Sequence, residues 1–180
     1  MDEPPVARGT TPPSARTSPR IPSYDYATPG TYFVTACATA GHLRFGNVDN
    51  GEVRLNETGK VVAQCWEDIP AHFQTVVLDS YVVMPNHLHG LITLTDALDE
   101  SPQDHARPSL NTIVGSFKSA ATRRVNVLRN TPGAKLWQRT YYDHAIRTES
   151  GLARIREYIT DNPAKWELDE ENPDGIRPQG

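Results

Sequence analysis

The order of patterns along the chain predicts an α+β fold in which helices pack on an antiparallel sheet. Runs rich in β-branched and aromatic residues alternate with segments whose apolar residues recur at helical spacing. Read in order, these segments are strand, helix, two strands, helix, strand and helix, which favours layers around one core. The 180 residues suffice for one ordinary domain. Two helices on one face of the sheet would leave the third predicted strand central.

The first half supplies three strands and one helix. The run from Thr31 to Thr39 is aromatic and β-branched and predicts the first strand. Residues 49–51, Asp-Asn-Gly, predict a tight turn between short extended pieces. A helix is predicted from Asn56 to Asp68, with Asn56 or Thr58 as its N-cap. Residues 75–83 predict the second main strand, and Pro85-Asn86 predicts the turn into the third.

The second half begins with an acidic, proline-containing loop at 95–108. Ser109 is the expected cap of a long helix that runs to about Arg129. Its predicted buried stripe consists of Leu110, Ile113, Val114, Phe117, Ala121, Val125 and Leu128. Residues 136–147 are expected to be extended. The last helix is predicted from Leu152 to Asp161, with Asn162-Pro163 as its stop.

Composition predicts three regions. Residues 1–28 are rich in Pro, Ser, Thr and Arg and are expected to be a disordered tail. Residues 29–166 are expected to form the domain, and residues 167–180 an acidic flexible tail. Cys37 and Cys65 are too few for a disulfide framework and match no zinc spacing. Because no apolar run resembles a signal or a membrane span, we expect a cytoplasmic protein without a membrane partner.

The net charge of −4 argues at first against a nucleic-acid partner. The charge is unevenly distributed, however. Residues 101–166 contain eleven Lys and Arg against five Asp and Glu, so the acidic residues are concentrated elsewhere. A local basic surface can bind phosphates whatever the total charge.

Two histidines one residue apart, His87 and His89, lie on the third predicted strand. Side chains on a strand alternate between faces, so both imidazoles point the same way. Neutral imidazoles are good metal ligands. Zinc hydrolases also use such pairs but need a third protein ligand, and histidine-triad hydrolases need a third alternating histidine, where this chain has Leu91. The pair by itself leaves a metal site and a structural role open.

The last predicted helix adds a candidate nucleophile. Its core-facing stripe consists of Leu152, Ile155 and Ile159. Arg154, Tyr158 and Asn162 follow at four-residue intervals along the border of that stripe and so share one face. A tyrosine there is commonly an amphipathic cover, and an asparagine before proline is commonly a helix stop. Facing a histidine pair, they provide a nucleophile, a ligand and a cation for phosphoryl transfer.

Five ordered blocks of sequence resemble the REP-associated tyrosine transposases. The blocks are 30–37 (GTYFVTAC), 42–46 (HLRFG), 82–91 (VVMPNHLHGL), 136–147 (LWQRTYYDHAIR) and 155–166 (IREYITDNPAKW). These proteins are relatives of single-strand insertion-sequence transposases that have one catalytic tyrosine. The resemblance runs from about Gly30 to Trp166.

The resemblance implies a His-hydrophobe-His endonuclease on a ferredoxin-like sheet, which cuts single-stranded DNA near hairpins or palindromic repeats. Carried over, Tyr158 matches the nucleophile, His87 and His89 the metal-binding pair, and Asn162 the residue completing the metal site. The expected cofactor is Mg²⁺ or Mn²⁺, and the expected state is a monomer or a homodimer. A non-catalytic DNA-hairpin-binding protein on the same fold, and a zinc-dependent phosphate hydrolase, are the alternatives.

For DNA binding we expect basic side chains of the second half, with Trp137, Tyr141 and Tyr142 as stacking candidates. General burial habits favour the core for Trp137 and one of the two tyrosines. Tyr141 or Tyr142 is also an alternative nucleophile, although neither has a polar partner at helical spacing. The basic residues expected to contact DNA are Lys118, Arg123, Arg124, Arg139, Arg147 and Arg154.

Overall fold

A computed structural model describes residues 28–39, 45–96, 108–169 and 171–173. The strands in these residues are β1 Gly30–Cys37, β2 Gly46–Asp49, β3 Glu52–Leu55, β4 Val76–Val83, β5 His87–Leu94 and β6 Tyr142–Ile146. β4, β5, β1 and β6 lie side by side in that order in one sheet, and every neighbouring pair is antiparallel. β2 and β3 form a separate hairpin. The predicted central position of the histidine strand is confirmed.

The helices are α1 Glu57–Glu67, α2 Ile69–His72, α3 Leu110–Arg129 and α4 Glu149–Asp161, followed by a 3₁₀ helix at Pro163–Leu168. α1 connects the first two strands of the main sheet, and α3 connects the last two. With the spatial strand order, this connectivity is ferredoxin-like. The predicted fold class is therefore confirmed. None of the helices in the described residues has the length and apolar character needed to cross a bilayer.

Side-chain caps determine where the helices begin. The Asn56 side chain accepts a hydrogen bond from the Gly59 N–H, and Ser109 caps α3 in the same way, as predicted. α4 begins three residues earlier than predicted because Thr148 provides its cap. These bonds satisfy N–H groups that have no partner inside the helix.

The sheet is covered on both faces. One face packs with α1 and α3 into the larger core, which includes Val34, Leu88 and Ile92. The opposite face packs against α4 in a smaller cluster of Phe33, Leu91, Tyr142 and Ile159. Because β5 alternates, its odd-numbered residues, the two histidines among them, face α4. The alternation predicted from the sequence thus directs both imidazoles toward the last helix.

Gly90 on β5 allows α1 to lie close to the histidine strand. A Cβ atom on Gly90 would lie 2.3 Å from Cζ2 of Trp66, whose indole is fully buried. That indole packs edge-on against Phe117 of α3, with 5.2 Å between ring centroids. Gly90 therefore lets the largest core side chain lie directly against β5, immediately after His89.

The structure corrects two details of the sequence prediction. Leu128 is 49% exposed, because the residues from Val127 to Asn130 project beyond the core. Only residues 142–146 of the predicted extended segment form a strand, preceded by one isolated bridge at Trp137. α4 ends at Asp161 before Asn162-Pro163, as predicted, and Asn162 keeps right-handed helical dihedrals, so the chain continues into the 3₁₀ helix. This helix crosses the predicted boundary at residue 166. Residues 1–27 of the predicted N-terminal tail and 97–107 of the acidic loop lie outside the described residues.

Candidate active site

The two imidazoles of β5 face each other in the interior. Their Nε2 atoms are 3.0 Å apart, and both side chains are almost fully buried. The other nitrogen of each ring is held by a neighbour: Nδ1 of His87 lies 2.9 Å from Asn86 Oδ1, and Nδ1 of His89 lies 2.8 Å from Thr35 Oγ1. Hydrogen bonds of this kind orient histidines that bind metals.

The hydrogen bonds also define where protons lie on His87. The Asn86 amide nitrogen donates to the Glu171 carbonyl, so Asn86 Oδ1 is the acceptor for the N–H of His87 Nδ1. Nε2 of His87 then has a free lone pair that points at His89. Two lone pairs at 3.0 Å would repel, so this contact needs a proton or a cation between the rings. Burial lowers the pKa of His87 to about 4, and it also lowers the pKa of His89, which keeps the pair neutral at pH 7.

Tyr158 lies on the face of α4 that covers the histidines. Its hydroxyl oxygen is 3.3 Å from Nε2 of His89. The phenol ring packs edge-on against Phe33, with 6.0 Å between ring centroids, and lies 5.2 Å from the His89 ring. The side chain is half-buried. The structure thus brings the predicted nucleophile and the predicted ligand pair together from segments 69 residues apart.

Asn162 lies one turn beyond Tyr158 and is 3% exposed. Its amide nitrogen donates a hydrogen bond of 2.9 Å to Oδ2 of Asp169, but its carbonyl oxygen Oδ1 is buried without a hydrogen-bond partner. An unpaired buried acceptor is costly, since it has lost its water without a replacement. The residue that the sequence assigned to the metal site therefore offers an oxygen that a cation can satisfy.

Asp169 is the site residue that the sequence prediction missed. Its Oδ2 lies 4.0 Å from Nε2 of His87, and its side chain is 5% exposed. The ligand atoms of His87, His89 and Asp169 all lie within 4.8 Å of one another, so this group can hold a metal ion. In the sequence, Asp169 is one of several acidic residues after Trp166, and no spacing distinguishes it from the others.

The segment after α4 closes the site from above β5. The Glu171 carbonyl accepts a hydrogen bond of 2.6 Å from Asn86, and the Trp166 ring lies 6.0 Å from the ring of His87. Asn172 is buried and donates to the Trp166 carbonyl. Burial and the nearby Glu171 carboxylate raise the pKa of Cys37, on the neighbouring strand, to about 12, so this thiol stays protonated. Asp169, Glu171 and Asn172 therefore pack around the site, whereas Glu167, Leu168 and Pro173 are exposed.

The other aromatic candidates have different surroundings, although Tyr142 shares the smaller core with Phe33 and Tyr158. Trp137 and Tyr142 are buried, 7% and 8% exposed, in the two cores. The Tyr141 hydroxyl donates to Asn111 Oδ1 at 2.5 Å on the α3 side of the molecule. Burial raises the pKa of the Tyr142 phenol, which makes it a poor nucleophile. Tyr158 is thus the tyrosine beside the histidines.

The six basic residues expected to contact DNA do not form one surface. Lys118, Arg123 and Arg139 line a common groove. Arg124 points to α1 and forms an ion pair of 2.8 Å with Asp68. Arg147, which follows β6, and Arg154 on α4 are exposed and do not line that groove.

No family model matches the chain. An uncharacterised protein of Haemophilus influenzae is 36% identical over 167 residues, which cover 86% of this chain and 92% of that protein. The chain belongs to the same family as that protein.

Solved structures extend the comparison to the fold. A REP-associated tyrosine transposase bound to a REP hairpin superposes with a TM-score of 0.58 at 18% identity, over 83% of this chain and 74% of the other. A candidate transposase from Deinococcus radiodurans superposes with a TM-score of 0.42 at 20% identity, over 79% of this chain and 95% of the other. The resemblance to REP-associated tyrosine transposases is therefore confirmed at the level of the fold.

Proposed function

We propose that this protein is a metal-dependent endonuclease and strand transferase that acts on single-stranded DNA at hairpins or palindromic repeats. The observation that supports this most directly is the convergence of a phenol with a buried pair of neutral imidazoles. The Tyr158 hydroxyl lies 3.3 Å from His89, which lies 3.0 Å from His87. In the described residues, a hydrogen bond from Nε2–H of His89 to Nε2 of His87 can bridge the two rings, and a bound cation would replace that proton.

The proposed metal site consists of His87, His89, Asn162 and Asp169. Neutral imidazole nitrogens, a carboxylate and an unpaired amide oxygen form a donor set that fits Mg²⁺ or Mn²⁺. Nitrogen donors favour Mn²⁺ in affinity, whereas supply in a cell favours Mg²⁺. When bound, the ion would polarise the scissile phosphate and favour ionisation of a nearby phenol.

Tyr158 is the proposed nucleophile. Its oxygen forms a bond to phosphorus while the bond from phosphorus to the 3′ oxygen breaks. The phenol proton passes to solvent, and the departing 3′ oxygen takes up a proton to become a free hydroxyl. The product is a 5′-phosphotyrosine, which preserves the energy of the broken bond. Attack by another 3′ hydroxyl reverses the step and joins the strand to a new end without ATP.

Phe33 and Thr35 are proposed to position the reacting groups. Phe33 packs against both the Tyr158 and the His89 rings, so it limits how far the phenol can move. Thr35 holds Nδ1 of His89 and fixes the plane of that imidazole. Such preorganisation contributes to rate because reacting groups need not be ordered during the reaction.

The DNA partner is inferred from three supports. The sequence blocks resemble a family that acts on such DNA, the structural neighbour with the higher TM-score was solved bound to a REP hairpin, and the segment 101–166, which includes Tyr158, is basic. A cytoplasmic location and a monomeric or homodimeric state remain parts of this proposal.

The test is covalent capture. The protein is incubated with a 3′-labelled hairpin oligonucleotide bearing single-stranded flanks, with Mn²⁺ or Mg²⁺, and resolved under denaturing conditions, because the 3′ fragment is the one that a 5′-phosphotyrosine retains. We expect a protein–DNA adduct with the wild type and with Tyr141→Phe, and none with Tyr158→Phe. The Tyr141 variant is the matched control, because it also loses one phenol oxygen of the same chain.

Two other outcomes would identify the alternatives. Hairpin binding without any adduct, over a range of oligonucleotides and both metals, would favour a non-catalytic hairpin-binding protein. Hydrolysis of mononucleotides that depends on Zn²⁺ and survives Tyr158→Phe would favour a phosphate hydrolase.

A further inference from the structure

An open groove of about 490 Å³ runs between α3 and the segment that follows it, residues 133–139. Its basic lining residues are Lys118, Arg123, Lys135 and Arg139. No Asp or Glu is among the groove-lining residues. Arg123, Lys135 and Arg139 are exposed, so their charges are available to a partner from solvent.

The groove has a defined shape. On α3, Lys118, Thr122 and Asn126 follow at four-residue intervals and so form one wall. The Lys118 ammonium donates to the Gln138 carbonyl at 2.8 Å, and the Asn126 amide donates to the Ala134 carbonyl at 3.0 Å. These bonds join the helix to the opposite wall at two points. The two backbones that carry the basic side chains are therefore held at a fixed separation.

The groove begins at the end of the sheet that contains His87. Trp137 bridges to Ala38, and the Gln138 N–H donates to the Cys37 carbonyl at 2.9 Å. Cys37 is in turn the register partner of His87 on β5. A chain bound along the groove would thus pass the strand end next to the candidate metal site.

We propose that this groove binds the phosphodiester backbone of the paired stem of a DNA hairpin and thereby delivers the adjoining unpaired strand to Tyr158. This inference rests on the proposed function. Four cations without a lining carboxylate complement a row of phosphates. Phosphate contacts set the register of a duplex without reading its bases, which suits the positioning of a stem.

The aromatic residue of the groove favours a paired stem over an unpaired strand. Proteins hold single strands by stacking bases on exposed rings. Trp137 is 7% exposed, and its indole packs against Phe45 and Phe117 with centroid distances of 5.2 and 5.4 Å. It is therefore part of the core below the groove and offers no platform for a base. The groove provides charge without a stacking surface.

The inference changes the set of DNA-binding residues expected from the sequence. Lys135, which that set lacked, is included because it lines the groove. Arg124 is excluded because its guanidinium is paired with Asp68. Adjacent arginines in the sequence, Arg123 and Arg124, thus have different roles because they lie 100° apart around α3.

The experiment measures the affinity of the full chain for a fluorescent DNA hairpin by anisotropy, from 50 to 300 mM salt. The variants are Arg123→Gln, Lys135→Gln, Arg139→Gln and the triple variant, with Arg129→Gln as the matched control on the exposed end of α3. We expect each groove variant to raise Kd about three- to tenfold at 0.1 M salt and to reduce the salt slope by about 1. The triple variant should lose at least about 30-fold, and Arg129→Gln less than twofold.

Three results would overturn the inference. The first is an unchanged hairpin affinity in the triple variant, with its thermal unfolding also unchanged. The second is an equal loss for an unpaired oligonucleotide of the same length, which would mean that the groove does not select a stem. The third is tighter binding of an RNA hairpin of the same sequence, which would remove the assignment to DNA. Adduct formation is assayed in parallel: groove-dependent hairpin binding without a wild-type adduct would support the groove and contradict the enzyme.

Discussion

Asp169 provides the sharpest test of the candidate metal site. Metal–ligand bonds of about 2.1 Å allow two donors on one ion to lie between about 3 and 4.2 Å apart, depending on the angle between the bonds. The 3.0 Å between the histidine nitrogens and the 4.0 Å between His87 Nε2 and Asp169 Oδ2 both fall in this interval, and the third pair, within 4.8 Å, would have to close by up to about 0.6 Å around one ion. We therefore expect the Asp169 carboxylate to contribute directly to metal affinity.

The substitution Asp169→Asn preserves the size of the side chain and removes its charge. Its remaining carbonyl oxygen can still accept from the Glu171 N–H, which Asp169 does at 2.8 Å. The new amide nitrogen at the position of Oδ2 would face the Asn162 amide nitrogen, and two donors cannot hydrogen-bond to each other. The Asn162 side chain should therefore rotate, which turns its free oxygen away from the metal site. Loss of a ligand charge and reorientation of a second donor together predict a 10- to 100-fold weaker Kd for Mn²⁺, about 1.4 to 2.7 kcal/mol.

The assay is isothermal titration of the full chain with MnCl₂, with chemical denaturation in parallel. Glu167→Gln is the matched control, because it removes an exposed carboxylate two residues away. Asp169→Ala should lose both metal affinity and stability, since it leaves the buried Asn162 amide nitrogen without an acceptor. Wild-type Mn²⁺ affinity in Asp169→Asn would refute the reasoning and leave Asp169 as a structural clasp for the C-terminal segment.

Three further predictions concern the site and its support. His87→Ala should abolish the covalent adduct while leaving hairpin affinity within about twofold, and a parallel loss of binding by filter retention would make the histidine structural. Gly90→Ala should destabilise the fold by about 1–3 kcal/mol in urea denaturation, because the added Cβ would overlap the buried indole of Trp66. The control Gly115→Ala, whose Cβ would meet no atom, should stabilise the fold by about 0.5–1 kcal/mol. Equal effects of the two substitutions would contradict this. The Arg156 hydrogen bonds lower the pKa of Asp79, so the wild type should be more stable than Asp79→Asn above about pH 4. This difference in the free energy of unfolding should disappear as the pH falls through the lowered pKa, because the carboxylate is then protonated. A difference that persists at pH 2 would refute the ion pair as its cause.

Local periodicity was sufficient for most of the fold. The β-branched runs and helical stripes indicate the strands and helices in the correct order, and the caps are Ser109, as predicted, and Asn56, one of the two candidates for α1. These features depend on neighbours within a few residues, so the sequence contains them directly. The same holds for His87 and His89, whose shared face follows from the two-residue repeat of a strand.

Contacts between distant segments required the tertiary structure. Asp169 meets His87 only because Asn162 retains helical geometry and a 3₁₀ helix turns the chain back over β5. Composition after Trp166 suggested a tail, since several acidic residues without an apolar stripe normally remain in solvent. The separation of Arg123 from Arg124 has the same origin, because only packing decides which side of α3 faces Asp68.

The sequence by itself determined which side chains share a face, because that follows from the repeat of a strand or helix. Only the tertiary structure decided which faces meet and how closely, because interatomic distances between elements depend on side-chain volumes throughout the core. The 3.3 Å between the Tyr158 hydroxyl and Nε2 of His89 is such a distance, and only the tertiary structure determines it.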